Sequence, residues 1–274
     1  MTALRFACSN LAWADDEEAA VFAQLHRHGV TGIEVAPTRL WPDWHGADPA
    51  AARLAAQRHA DAGFQVASMQ ALLFGQPQAQ LFGADGGAAF EAHLSRVAAI
   101  GEALGATAAV LGAPRNRQRA GLGVESAREQ AVPILRRLAQ RYQEAGVTLA
   151  LEPARPEYGG DFVVNTAEAL ALVEQVGHPG LAVHLDAAAM HAAGEAIEQL
   201  WPRFGARRPA HYQLSEPGLA GFADSVVPQR HNLRFLQSVG WTGWCSVEML
   251  RPPTGLIAEP DQAPWAILSG WQRD

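Results

Sequence analysis

Eight apolar runs of strand length alternate along this chain with alanine-rich amphipathic segments. The runs are Arg5–Ser9, Gly32–Ala36, Gln65–Gln70, Ala108–Gly112, Thr148–Glu152, Leu181–Asp186, Ala210–Leu214 and Cys245–Met249. Between them the pattern predicts helices over Glu17–His28, Ala50–Ala62, Phe90–Leu104, Ala127–Glu144, Thr166–Val176, Ala193–Leu200 and His231–Val239. Several helices run into a glycine just before the next strand, as in HRHGVTGIEV, ADAGFQV, EALGATAAV, QEAGVTLAL and QSVGWTGW. Glycine suits the left-handed residue that closes a helix. A strand–helix–turn unit returning roughly every 30–40 residues predicts an α/β chain folded as a single (β/α)8 TIM barrel. A doubly wound open sheet is the structural alternative, but no GxGxxG follows the first strand to support it. No linker or low-complexity tract interrupts the pattern, so one domain is expected over residues 1–274.

Four of the later strands carry an unusual ending. VTLALE ends at Glu152, LAVHLD at Asp186, PAHYQLSE carries Gln213, and GWCSVE ends at Glu248. A buried strand has little reason to finish on a carboxylate, because an unpaired buried charge is costly. One such acid alone reads as a helix N-cap or a surface ion pair. Four on successive strands, all at the C-terminal face where barrel active sites lie, read as side chains converging on a cation. Two or three carboxylates with a neutral oxygen donor suit Mg²⁺, Mn²⁺ or Co²⁺; Zn²⁺ is possible but more typically recruits histidine or cysteine. Glu34, ending TGIEVAP, is either a fifth pocket member or a structural acid. The long loops after strands two to five wall the same mouth, with Trp41, Trp44, Phe74 and Phe82 as candidates for an apolar lid or for flanking a ligand.

The formal net charge of -7 makes a polyanion or an anionic membrane surface an unnatural partner. Neither nucleic acid nor a membrane is expected as a partner. Cys8 and Cys245 have no zinc-type spacing and read as core thiols in a reducing compartment. No apolar stretch approaches the ~20 residues of a membrane span, and the N-terminal residues lack the apolar core of a signal peptide. A cytoplasmic enzyme acting on a small molecule is the expectation.

Taken in order, the pieces SNLAW, GIEVAPTRLW, SMQALLFG, LGAPRNR, ALEP, HLD, HYQLSEP and GWTGWCSVEM resemble the sugar phosphate isomerase/epimerase superfamily, the xylose-isomerase-like barrels. The resemblance runs over almost the whole chain and is specific for the superfamily, not for a substrate. It implies one divalent ion held by Glu152, Asp186, Gln213 and Glu248, and a small carbohydrate substrate. Gln213 stands where many relatives have histidine; the hydroxypyruvate isomerase branch is similar in using glutamine. Ala189 stands where many sugar epimerases have a substrate-binding histidine, three residues after the strand-six aspartate. The resemblance further implies that Glu152 and Glu248 face opposite sides of the substrate. One would remove the proton beside a carbonyl and the other return it through an enediolate. Homodimers or homotetramers are common among relatives. A lyase of the inosose-dehydratase type would use the same proton abstraction, and a non-catalytic sugar-binding barrel is a further alternative. Endonuclease IV-like cleavage fits poorly, since three-metal sites need more histidines at the mouth.

Other residues are candidates for substrate contact. Gln70 ends the third strand at the mouth, and Glu157 and Tyr158 follow Glu152 closely. Arg115 and Arg117 in APRNR would hold a phosphate or carboxylate, or else form a solvated basic loop. Arg251, just beyond Glu248, is another anion-binding candidate. His184 and His211 lie two residues before Asp186 and Gln213 and so point to the same side of their strands. The first is a barrel-interior residue or a substrate contact, and the second orients a ligand. Glu216 would pair with a metal-site group or an arginine.

Overall fold

The computed structural model describes residues 3–268. Its eight strands are β1 Arg5–Ser9, β2 Gly32–Val35, β3 Gln65–Met69, β4 Ala108–Leu111, β5 Thr148–Leu151, β6 Leu181–Asp186, β7 His211–Ser215 and β8 Trp244–Glu248. They pair in parallel in chain order and close, β8 against β1, into a barrel. The expected TIM barrel is therefore the fold. Strand boundaries move by a residue or so from the sequence expectation, as hydrogen-bonded ends commonly do.

The helices Glu18–Arg27, Pro49–Asp61, Ala88–Leu104, Val124–Glu144, Thr166–Val176 and Gln229–Ser238 follow the predicted segments. The prediction fails between β6 and β7. A helix over Ala193–Leu200 was expected, but one helix covers Ala187–Ala192 and a second Ile197–Leu200. The first begins at once because Oδ1 of Asp186 accepts from the backbone N–H of Ala189 at 2.6 Å. Gly194, at φ 67°, turns the chain before the second.

Alternation along the strands sorts the side chains. Val183, Leu185, Tyr212, Leu214 and Val247 belong to the core outside the barrel, under the helices. Each fully buried side chain of this kind contributes about 1.5–3 kcal/mol. The barrel interior is layered differently. Trp244, Ala7 and Ala67 form a small apolar cluster, with the Arg5 guanidinium 4.5 Å from the Trp244 ring centroid. Gly32 is required beside it, since a Cβ there would stand 2.7 Å from the Trp244 ring. Further along the strands the interior turns polar: Glu34, Ser68, His184, His211 and Gln213 are all buried. Among the described residues no helix is long and apolar enough to cross a membrane.

Candidate active site

Glu152, Asp186 and Glu248 reach the mouth of the barrel. Glu152 follows β5, and the other two end β6 and β8. All three line a cavity of about 320 Å³. Glu152 and Glu248 also line a second cavity of about 620 Å³, so these two carboxylates stand where both spaces meet. The seat of Glu152 depends on Gly112 at the end of β4, where a Cβ would run into its Oε2. Beneath it, the buried Arg117 donates through Nε to the Gly112 carbonyl at 2.6 Å and through Nη2 to the Glu152 carbonyl at 2.7 Å. Asp186 is fixed at both oxygens, by Ala189 N–H and by the Ser215 hydroxyl at 2.5 Å from Oδ2.

These carboxylates resist ionising together. Burial and the Asp186 charge push Glu152 up to about 8, against the pull of the Arg117 guanidinium. Burial, Asp186 and Glu152 hold Glu248 well above the ordinary carboxylate range. Asp186 is raised as well, chiefly by burial, though its two hydrogen bonds oppose the shift. Close carboxylates in a poorly hydrated site favour protonation because each charge destabilises the next.

The polar layer below is built around Glu34. Its Oε2 accepts from Ser68 Oγ at 2.6 Å and lies 2.8 Å from His211 Nε2, while Oε1 accepts from Gln213 Nε2 at 2.8 Å. Burial alone would raise its pKa, but these partners outweigh burial and hold it below the ordinary value. Glu34 is thus a satisfied structural carboxylate, and it lines neither mouth cavity. His184 Nε2 lies 2.7 Å from Gln213 Oε1. Burial, reinforced by His211, depresses His184 to about 3, so it is a neutral donor to that oxygen. Gln213 Nε2 also reaches Gln70 Oε1 at 3.3 Å.

The donor set suits a divalent cation chemically. Three buried carboxylates lining one cavity would, once ionised, leave a negative region that a hard ion would neutralise. Gln213 Oε1 accepts one proton from His184 and retains a second lone pair. Among the described residues, however, no three His, Cys, Asp or Glu side chains stand close enough to form a ready-made metal centre.

The other expected residues divide sharply. Gln70 lines the larger cavity; Glu157, Tyr158 and Glu216 line the smaller one. Both Glu216 oxygens are nevertheless taken, by Ser225, Gln229 and the backbone N–H groups of Val226 and Val227, so it ties down the loop after β7. The three predicted arginines line neither cavity. Arg115 is exposed outside both cavities, Arg117 is spent on backbone carbonyls, and Arg251 pairs with Glu17 on the exterior at 2.7 Å. His184 and His211 lie in the polar layer below, away from both cavities. Of the aromatic lid candidates, Trp41, Trp44 and Phe82 are buried and only Phe74, 69% exposed, lines a mouth cavity.

Sequence reading missed Arg155, the one cation lining the smaller cavity among the described residues. It pairs with Glu157 and donates to the Ala189 carbonyl at 2.6 Å. Ser215 was also missed, although the period of two from Gln213 points to it.

The sequence matches the family described as "Xylose isomerase-like TIM barrel" over residues 22–273. No curated protein sequence matches it significantly. Solved structures do. The apo form of a 3-keto-D-glucoside 4-epimerase from E. coli superposes with a TM-score of 0.78 at 13% identity, covering 97% of this chain and 99% of that one. An L-ribulose 3-epimerase gives 0.72 at 21% identity, over 96% and 87%. An AP endonuclease, family 2, from Brucella melitensis gives 0.69 at 20% identity, over 95% and 100%. At such identities the likeness is one of fold.

Proposed function

We propose that this chain, which belongs to the xylose isomerase-like TIM barrel family, is a sugar isomerase or epimerase that moves a proton at the carbon beside a carbonyl. The observation that carries this reading is the pair Glu152 and Glu248, both lining the two cavities at once. A substrate lying across that boundary would meet a carboxylate from each of two strands. The names of two neighbours of the same fold, a 3-keto-D-glucoside 4-epimerase and an L-ribulose 3-epimerase, agree with it.

Proton removal from carbon needs a base whose pKa lies near the working pH. Glu152, raised to about 8, is much better matched than an ordinary carboxylate. Glu248, also held well above its normal range, serves as the partner that carries a proton. Glu152 takes the proton from the carbon, the electron pair moves into the carbonyl, and Glu248 returns a proton from the other side. The roles exchange in the reverse direction. Asp186, locked by Ala189 and Ser215, holds a fixed place in the same cavity as the two glutamates. A divalent ion held by Glu152, Asp186, Gln213 and Glu248 would act as a Lewis acid on the substrate oxygens.

The substrate class follows from charge. Glu152, Glu157, Asp186, Glu216 and Glu248 line the smaller cavity, whose one cation, Arg155, is already committed to Glu157 and Ala189. Without an ion such a space disfavours phosphate and carboxylate groups and favours an uncharged sugar. The same argument disfavours a phosphodiester substrate.

The test is solvent exchange. Candidate ketoses and keto sugars are incubated with the protein and Mn²⁺ in D₂O, and deuterium at the carbon beside the carbonyl is followed by NMR. Glu152→Gln and Glu248→Gln should each slow exchange by roughly 10²-fold or more. Undiminished exchange in either variant refutes the assignment, and a product lighter by one water makes the enzyme a lyase.

A further inference from the structure

The larger cavity is poorly suited to a sugar. Its volume, about 620 Å³, is nearly twice that of the acid-lined one at about 320 Å³. Leu11, Ala71, Phe74, Val110, Leu219 and Leu250 supply much of its wall. Two of its polar side chains are already engaged. Arg39 is paired with Asp15 and bonded to the Trp13 carbonyl at 3.0 Å, and Gln70 is bonded to Ser9 and Gln213. Hydroxyls placed against that apolar wall would lose water without gaining equivalent partners. Apolar surface would gain, and some waits uncovered: Phe74 is 69% exposed and Leu250 51%.

A second, independent observation marks the same cavity as built for a ligand. Seven non-glycine residues are held at positive φ among the described residues, and four of them line this one space: Asp43 at 52°, Ala71 at 53°, Ala113 at 48° and Leu219 at 56°. Each such conformation costs of order 1–3 kcal/mol in bulky residues. Strain of this kind persists where the surrounding structure fixes it, and it gathers at ligand clamps. Here it shapes the wall facing Glu152 and Glu248.

We propose that the substrate is a sugar bearing an apolar, aromatic-sized substituent. The sugar sits in the acid-lined cavity, and the substituent crosses between Glu152 and Glu248 into the larger one. The inference rests on the sugar isomerase or epimerase reading above and goes beyond it by naming a two-part substrate. Continuity of the two spaces through both glutamates sets the order of the parts. A second sugar unit is the competing occupant, disfavoured by the apolar wall.

The experiment compares phenyl β-D-glucopyranoside, methyl β-D-glucopyranoside and cellobiose as binding probes, by calorimetry with Mn²⁺ present. The phenyl glucoside should bind at least about ten-fold more tightly than the methyl glucoside, in line with the discrimination an apolar pocket gives. Phe74→Ala and Leu250→Asp, at exposed positions that folding tolerates, should bring that ratio close to one, with circular dichroism confirming the fold. Equal affinities for the two glucosides overturn the proposal. So do a ratio unchanged in both variants, tighter binding of cellobiose, or no binding of the phenyl glucoside at millimolar concentration. The affinity ratio needs no turnover. Exchange without a phenyl preference sinks this proposal alone, whereas a preference without exchange sinks the isomerase reading and leaves the apolar subsite standing.

Discussion

Removing one carboxylate from the mouth should make the metal-free protein more stable, against the usual direction of a substitution at a conserved-looking acid. Glu152→Gln keeps the size of the side chain beside Gly112 and removes the charge. Glu152 rises from 4.5 to about 8 in the folded protein. Between those values the native carboxyl keeps its proton while the unfolded chain has lost it, so the native state binds more protons and stability falls as pH rises. At about 1.36 kcal/mol per pH unit the full effect has a ceiling of roughly 5 kcal/mol. Glu152 is half-buried against a cavity that water enters, and that screening leaves about 1–3 kcal/mol. The gain of Glu152→Gln over the native chain should therefore be small near pH 5 and largest near pH 8. Urea unfolding in EDTA at both pH values, read as a change of midpoint at constant slope, measures it. A variant no more stable than the native chain near pH 8, or one with the same gain at both pH values, refutes the repulsion argument.

Three further outcomes are expected. Mn²⁺ should raise the melting temperature of the native chain, because binding to the folded state relieves the same repulsion, and should raise that of Asp186→Asn less; equal shifts would show that the ion binds elsewhere. Gly112→Ala should leave the fold intact but displace the Glu152 carboxylate, lowering kcat/KM by about 10²-fold; an unchanged kcat/KM would show that Glu152 has room to yield. Glu34→Gln should destabilise by about 3 kcal/mol near neutral pH, since its new amide would face the donors of Gln213 and Ser68. Because the Glu34 pKa is lowered on folding, its contribution is present above 4.5 and lost as pH falls below it, so unfolding curves of variant and native chain should converge in acid.

The barrel was legible because it is written in local periodicity. Apolar runs, amphipathic segments and Gly29, Gly63, Gly105, Gly146 and Gly240, all at positive φ before a strand, repeat along the chain. The position of Glu152, Asp186 and Glu248 at the mouth was legible for the same reason, since the end of a parallel strand is a place a pattern can specify. Loop side chains obey no such period. Among the arginines near the mouth, sequence pointed to Arg115, Arg117 and Arg251, whereas those lining the mouth cavities are Arg155 and Arg39. Trp44 looks like a lid residue in the sequence, yet it turns inward and donates from Nε1 to the Phe74 carbonyl at 2.8 Å. Glu34 could not be resolved between pocket and structure because its partners Ser68, His211 and Gln213 stand 34, 177 and 179 residues away along the chain. Only closure of the barrel brings them together.

Gln213 is held at both ends of its amide, accepting from His184 and donating to Glu34 and Gln70. An imidazole in its place could not serve all three, because each ring nitrogen is either a donor or an acceptor. A neutral histidine there, with one donor and one acceptor nitrogen, would leave at least one of His184, Glu34 and Gln70 without its partner in a layer closed to water, and a lone substitution would carry that penalty at once. The residue at 213 is therefore tied to His184, Glu34 and Gln70, although they come from separate stretches of the chain. A change from glutamine to histidine at this position calls for a compensating change among those three. What looks from above like a free choice of donor at the mouth is decided one layer down.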